Sequence, residues 1–340
     1  MEVRAEVAAF AANIFLHENA TKKNSAKSFL TLLIHLTFFV TCLDSFGSGE
    51  KNGFFLPENV QEVTFKFHRF RNLILLPVTI NDSVHVNLIL DTGCRNILLF
   101  GRRFEKLLKI QPDQQIRFSG LGDGNLLDGK LSLSNKVSIQ AVLGENLPII
   151  IVASKNLFSG HPTIHGIIGY DIFTKFEIEF NYYRRLITFR SATIAKISSE
   201  FTRIPLRIED SRPLISSKIF FSRYESQTLD LMLDTGSALG LLLKSDDPRN
   251  FPEGIPKTIL GRGLKGDVMG REKRAHKIIL ETFEISSIFS SGVIWSEGYK
   301  HGSVGMDIMK EYTIVLNYCK GYAGFKKSQR RPKPQILIWK

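Results

Sequence analysis

The sequence predicts an all-β protein built as two similar lobes. Three observations carry that prediction. No long stretch after residue 45 has the 3.6-residue apolar period of a helix, whereas short apolar and β-branched runs bounded by turn residues recur throughout. One block of sequence occurs twice, in the same internal order and at nearly the same spacing, which marks two homologous halves. Phenylalanine is abundant, with 26 among 340 residues, and suits a pleated, half-buried core.

Taken in chain order, residues 1–45 stand apart. The basic and polar Lys22-Lys23-Asn24-Ser25-Ala26-Lys27 precedes an apolar run at 28–42 that is too short and too interrupted for a comfortable membrane span. A basic stretch, a short apolar core and then a polar region is the layout of an export signal or a membrane anchor. Cys42 ends the run, where a lipidated cysteine would stand. The expected location is therefore the periplasm or cell envelope, with any membrane association made through this segment. Residues 1–21 are long for the front of a signal, which points to a start further in. Residues 46–63, with Ser, Gly, Asn and Pro, read as a linker.

Lobe one is expected over 64–195, with strands at 64–70, 73–80, 84–90, 97–100, 116–119, 130–133, 137–142 and 147–152. Short helices are expected at 104–108 and 172–175, the second capped by Asp171. Lobe two is expected over 196–325, with strands at 201–208, 213–221, 229–233, 239–243, 257–261, 277–283 and 291–295. Residues 326–340 form a basic tail ending in a short strand at 336–339.

Composition narrows the function classes. With 43 % hydrophobic and 23 % charged residues the chain is globular, not disordered. Three cysteines do not make a disulfide scaffold, and Cys94 and Cys319 read as small buried apolar residues. The net charge of +12 first suggests nucleic acid. Six of the basic residues, however, are Lys326, Lys327, Arg330, Arg331, Lys333 and Lys340, and no groove-reading motif accompanies the rest, so nucleic acid is not an expected partner. Gly261-Arg262-Gly263-Leu264-Lys265-Gly266 fits a dinucleotide fingerprint, but no helix opening follows at Asp267. His161 and His165 have ligand-like spacing without a second pair. Neither a cofactor nor a metal is expected.

The chemistry lies in the repeat. Val86-Asn87-Leu88-Ile89-Leu90 leads into Asp91-Thr92-Gly93-Cys94, and Leu229-Asp230-Leu231-Met232-Leu233 leads into Asp234-Thr235-Gly236-Ser237, 143 residues later. The second block is Gly166-Ile167-Ile168-Gly169 in lobe one and Gly302-Ser303-Val304-Gly305 in lobe two, 136 residues apart. Asp-Thr-Gly after an apolar strand puts a carboxylate on a tight turn, with Gly allowing close approach and Thr holding the turn rigid. One such turn per lobe gives two facing carboxylates that share a proton. One then acts as general base on a water, and the other donates a hydrogen bond to a carbonyl oxygen.

These motifs resemble the aspartic proteases of the retropepsin/pepsin clan, most of all the bacterial exported tandem retropepsin-like proteins, over about residues 64–325. The resemblance implies two pepsin-like or retropepsin-like β-barrel lobes around a cleft, and Asp91 and Asp234 as a catalytic pair cutting peptide bonds. It implies that Thr92 and Thr235 interlock across the lobes, with Gly93, Gly236 and Ser237 completing the two loops. The alternative is a catalytically weak or inactive member of the fold that binds peptides or a partner. Flap hairpins are expected at Gly120, Gly122 and Gly124 in lobe one and at Gly261, Gly263 and Gly266 in lobe two. In such relatives the terminal strands build a sheet between lobes, so residues 336–339 are expected to pair with 64–70. The expected partner is a peptide or protein substrate, and the expected state is a monomer with pseudo-dimeric lobes. Cys94 stands where Ser or Ala is usual, neither flap tip has a tyrosine, and Ser303 replaces the more usual apolar residue. Ser237 is placed to hydrogen-bond the outer oxygen of Asp234, which Cys94 would do only weakly for Asp91.

Overall fold

The computed structural model describes residues 51–109, 115–118, 120, 127–153, 158, 161, 163–245, 254–295 and 301–329, with the backbone alone described at 245 and 287–295. The described residues from Asn52 onward belong to one compact unit. The first half runs β1 (Gly53–Phe55), β2 (Glu62–Lys66), β3 (His68–Phe70), β4 (Leu73–Ile80), β5 (Val84–Leu90), β6 (Ile97–Phe100), α1 (Arg103–Leu107), β7 (Gln115–Phe118), β8 (Leu127–Ile139), β9 (Val142–Val152), β10 (Gly166–Ile168), α2 (Tyr170–Phe173), β11 (Phe176–Asn181) and β12 (Leu186–Ser191). The second half runs β13 (Thr202–Pro205), β14 (Arg207–Glu209), β15 (Arg212–Phe220), β16 (Ser226–Asp234), β17 (Leu241–Ser245), β18 (Thr258–Gly263), β19 (Gly266–Leu280), β20 (Phe283–Trp295), β21 (Gly302–Gly305), α3 (Met306–Met309), β22 (Tyr312–Asn317) and β23 (Tyr322–Lys327). The protein is all-β, and no helix among the described residues is long and apolar enough to cross a membrane.

The two halves repeat one topology. The first sheet has the order β1-β9-β6-β10-β5-β4-β8-β7, with β3 on β4. The second has β20-β17-β21-β16-β15 in the same relation, with β19 and β18 beyond and β14 on β15. In each, the strand of the second repeated block lies parallel to the strand that ends in aspartate: Ile168 opposite Leu90, and Val304 opposite Leu233. Such central strands are covered on both faces, so they read as continuous apolar runs. Leu88, Leu90, Ile168, Leu231, Leu233 and Val304 are all fully buried, and each contributes on the order of 1.5–3 kcal/mol relative to exposure.

A third sheet joins the halves, in the order β13-β23-β22-β11-β12-β2. Its central pair, β11 with β22, takes one strand from each half, Phe180 opposite Ile314. An inter-lobe sheet is thus present, and segment 64–70 enters it at one edge, where Phe65 pairs with Ile187 of β12. Residues 336–339 lie outside the described residues, as do the export segment and Cys42.

Several local expectations shift. Residues 53–55, within the stretch read as a linker, form β1, and Phe54 is buried. β2 begins inside the same stretch, and β23 runs past 325. α2 starts at Tyr170, so Asp171 lies in its first turn and makes no cap bond; Gly169 occupies the cap position. Segment 201–208 breaks at Leu206, whose N–H bonds Gly321, and its two parts enter different sheets. Segments 130–133 and 137–139 belong to one long strand, and 140–142 run through the turn after it into β9. Segment 277–283 crosses a turn at Glu281, φ +55°. β12 has no counterpart among the strands read from sequence. Cys319 is exposed, its Sγ toward the Thr174 carbonyl at 3.0 Å.

Candidate active site

Both Asp-Thr-Gly turns leave the end of a buried strand and meet in the middle of the molecule. In the first, the Gly93 N–H donates to Asp91 Oδ1 at 2.7 Å. In the second, the Gly236 N–H donates to Asp234 Oδ1 at 3.0 Å. A Cβ built on Gly93 would stand 3.1 Å from Asp91 Oδ1 and 3.5 Å from Asp234 Oδ1, so the two inner oxygens face each other across that glycine. A Cβ built on Gly236 would overlap the Asp91 carboxyl, which therefore rests on the opposite turn. Glycine is required there by close approach.

The threonines lock the turns reciprocally. Thr92 Oγ1 donates to the Leu233 carbonyl at 2.5 Å and accepts the Thr235 N–H at 3.0 Å. Thr235 Oγ1 donates to the Leu90 carbonyl at 2.8 Å and accepts the Thr92 N–H at 3.0 Å. Both side chains are fully buried. Each bond is worth about 1 kcal/mol net, but deleting a hydroxyl strands two buried backbone groups at about 1–3 kcal/mol each.

The second repeated block threads beneath each turn. Its glycines explain the pattern: a Cβ at Gly169 would lie 2.6 Å from the Asp91 carbonyl, and one at Gly305 would lie 2.9 Å from the Ser237 carbonyl. The Asp91 N–H in turn donates to the Ile168 carbonyl at 2.9 Å.

Burial, foremost, and the charge of Asp234 push the Asp91 carboxyl up to about 7, against the pull of the Gly93 and Cys94 N–H groups and of Arg212. Burial pushes Asp234 up to about 6, against the Gly236 N–H, Lys244, the Ser237 N–H and the Ser303 hydroxyl. The two titrate as one pair. Such an arrangement can hold a proton on one carboxyl and a negative charge on the other near neutral pH.

The remaining site residues fall as follows. Ser237 offers its backbone N–H, and not its hydroxyl, to the Asp234 carboxylate; its Oγ accepts the Leu239 N–H at 3.3 Å. The Cys94 thiol turns to the Asn96 carbonyl at 3.1 Å, and burial and Asp91 hold its pKa well above the ordinary thiol value. Gly261, Gly263 and Gly266 lie on the β18–β19 hairpin, where Gly263 faces Gly266 across Leu264 and Lys265. Gly122 and Gly124 lie outside the described residues. A Cβ at Gly120 would stand 2.7 Å from Leu264 Cβ, so the lobe-one loop meets the lobe-two hairpin tip. His165 and His161 are not at the site: His165 Nδ1 accepts the Asn87 N–H at 2.9 Å, and the His161 ring packs on Phe70.

Three features have no counterpart in the sequence reading. Ser303, noted only as a departure from an apolar block, is buried and serves Asp234. Asn72, in the β3–β4 turn, donates to the Ala238 carbonyl at 3.0 Å beside the second Asp-Thr-Gly turn, and to Asp307 at 3.1 Å. Reciprocally, Asp210 in the β14–β15 turn binds Arg95 beside the first Asp-Thr-Gly turn and also holds Arg212 at 2.5 Å. Asn72 and its partners, and Arg95 and Asp210, lie more than 100 residues apart in the chain, so no local signal links them.

No curated protein matches the chain. Residues 76–172, from β4 through the Asp91 turn to α2, match the family model of aspartyl proteases, so this stretch is aspartyl-protease-like, of the retropepsin-like type.

Proposed function

We propose that the chain is an aspartic endopeptidase whose catalytic pair is Asp91 and Asp234. The observation that carries the reading is the reciprocal threonine lock, which holds two half-buried carboxyls together beside Gly93. The additional donors on Asp234 favour the negative charge there and the proton on Asp91. A water between the carboxyls gives its proton to Asp234 as it attacks the peptide carbonyl. Asp91 donates to the carbonyl oxygen, which becomes the hydroxyl of a tetrahedral intermediate. Proton return to the amide nitrogen then releases the amine product. The interlocked turns mean that little of the backbone reorganises during the reaction. The β18–β19 hairpin, with Leu264 at its tip, serves as a cover. We read residues 1–45 as an export signal, which cell fractionation of the full chain tests.

Hydrolysis of a peptide library by the purified chain is the direct test. Asp91→Asn and Asp234→Asn should each lower kcat by at least about a thousandfold, and a statine peptide should inhibit the parent enzyme. Activity surviving both substitutions together would exclude this reading and favour a binding protein of the same fold. The same variants report the pKa values independently. A carboxyl raised by folding adds stability below about pH 4, its unfolded value, and loses it as pH rises through the folded value near 6–7. The asparagine variants should therefore melt higher than the parent at pH 8 and lose that advantage at pH 4.

A further inference from the structure

The repeat places two tyrosines at equivalent positions, and their hydroxyls end in different surroundings. Tyr182 follows the end of β11 and Tyr318 the end of β22, 136 residues apart, which is the spacing of the second repeated block. The register of β11 with β22 bears this out: Glu177 lies opposite Asn317 and Asn181 opposite Thr313, as a two-fold repeat requires. Both tyrosines are buried. The Tyr182 hydroxyl donates to the Arg71 carbonyl. The Tyr318 hydroxyl has no hydrogen-bond partner among the described residues. Buried polar groups are nearly always paired, so such a group calls for a role.

Tyr318 stands beneath the first Asp-Thr-Gly turn. Gly169 leaves no room for a side chain against the Cys94 and Asp91 carbonyls, and the Tyr170 N–H donates to the Cys94 carbonyl at 2.8 Å. These contacts fix the start of α2 under the turn. The Tyr318 ring stacks on Phe173 of α2 at 5.2 Å between centroids and lies 6.2 Å from the Tyr170 ring. Burial, foremost, and then Asp91, Tyr170 and Asp234 hold the phenol well above its ordinary pKa. It therefore stays protonated, a donor close to both carboxyls. Tyr182 has instead the Arg69 guanidinium as its charged neighbour.

From this placement we propose that Tyr318 is a positioning residue for Asp91, its hydroxyl donating towards that carboxyl through one buried water. The proposal rests on the peptidase reading and deepens it. Ser303 gives Asp234 a hydroxyl from the strand beneath it, whereas Ile167 stands at the matching place beneath Asp91. Tyr318 supplies the missing hydroxyl from the α2 side of the turn. Asp91 starts the reaction protonated and becomes negative as its proton passes to the carbonyl oxygen. A fixed donor favours that charge as it forms, which lowers the barrier to the tetrahedral intermediate. A bridging water conveys such a bond nearly as well as direct contact does. Arg212 and Lys244 also act on the pair, and the Cys94 thiol and the Asp171 carboxyl lie beside the first turn. All four stay in place when the Tyr318 hydroxyl is removed.

Tyr318→Phe keeps the ring and removes only the hydroxyl, and Tyr182→Phe is its control at the equivalent position. In Tyr318→Phe, kcat should fall about tenfold with KM within about twofold of the parent. The alkaline limb of its kcat/KM profile should move to higher pH by about half a unit, because the ionised form of Asp91 has lost a donor. Tyr182→Phe should lower the melting temperature and move neither limb. An unmoved limb in Tyr318→Phe, or an equal shift in Tyr182→Phe, would overturn the proposal. A high-resolution crystal structure of the parent is a check that needs no variant. A water within hydrogen-bond reach of both Tyr318 Oη and the Asp91 carboxyl supports the proposal, and its absence there overturns it. Failure of the peptidase reading shows separately, as a parent that cleaves no peptide. The melting profile then carries the test: the stability that the pair loses as pH rises through its folded values near 6–7 should be lost at higher pH in Tyr318→Phe. The same profile in variant and parent would overturn the role of Tyr318 whether or not the chain is active.

Discussion

The two Asp-Thr-Gly turns have the same backbone, the same glycine approach and the same threonine lock, yet their carboxyls sit in different surroundings. Asp234 has a serine hydroxyl from the strand beneath it and a lysine on the next strand, where Asp91 has Ile167 and Phe100 at the matching places. Asp91 has instead the opposite turn pressed against its carboxyl at Gly236. Symmetry thus belongs to the scaffold, and asymmetry to the side chains around it. A pair that must hold one proton and one charge benefits from that division. The scaffold sets the separation, and unequal surroundings favour one of the two proton positions.

The comparison can be broken most severely at Gly236. Gly236→Ala would drive a methyl into Asp91, whereas Gly93→Ala meets Asp91 Oδ1 at 3.1 Å and the movable end of Met232 at 3.2 Å. Crystal structures and peptidase assays of the two variants should show Asp91 displaced and activity lost in the first, and a smaller loss in the second. Equal losses would mean that the turns are equivalent after all. Next comes the lock. Thr92→Val or Thr235→Val should lower urea-unfolding stability by about 2–4 kcal/mol, and Thr→Ser should restore most of it. Similar costs at the two positions would sharpen the symmetry of the scaffold.

Smaller effects test the asymmetry. Ser303→Ala removes a donor to the ionised form of Asp234, so the acidic limb of the kcat/KM profile should move to higher pH by up to about one unit. An unmoved limb would remove Ser303 from the explanation. The least change is expected for Cys94→Ser, because the thiol faces the Asn96 carbonyl. Stability and kcat/KM should remain within about 0.5 kcal/mol of the parent. A large gain in activity would show that the cysteine weakens Asp91.

Much of the fold was legible because it is written locally. Strands β4, β5 and β6 follow from apolar runs bounded by turns at Asn81-Asp82-Ser83 and at Asp91-Thr92-Gly93. The helix at Tyr170 was displaced because Gly169 packs against the Asp91 turn and starts the helix earlier than an Asp171 cap would. The long β19–β20 hairpin was obscured because the alternation of β19 is diluted by charged residues on the exposed side.

By itself the sequence determined that two aspartates stand on equivalent glycine turns after buried strands, because strand, turn and close approach are short-range requirements written twice. Only the tertiary structure decided what each carboxyl meets. The lock couples Thr92 to Thr235, Asn72 reaches Ala238, Arg95 finds Asp210, and Ser303 and Lys244 gather around Asp234. Those encounters depend on strand register and on how two sheets close over a common core, and no spacing along the chain encodes them.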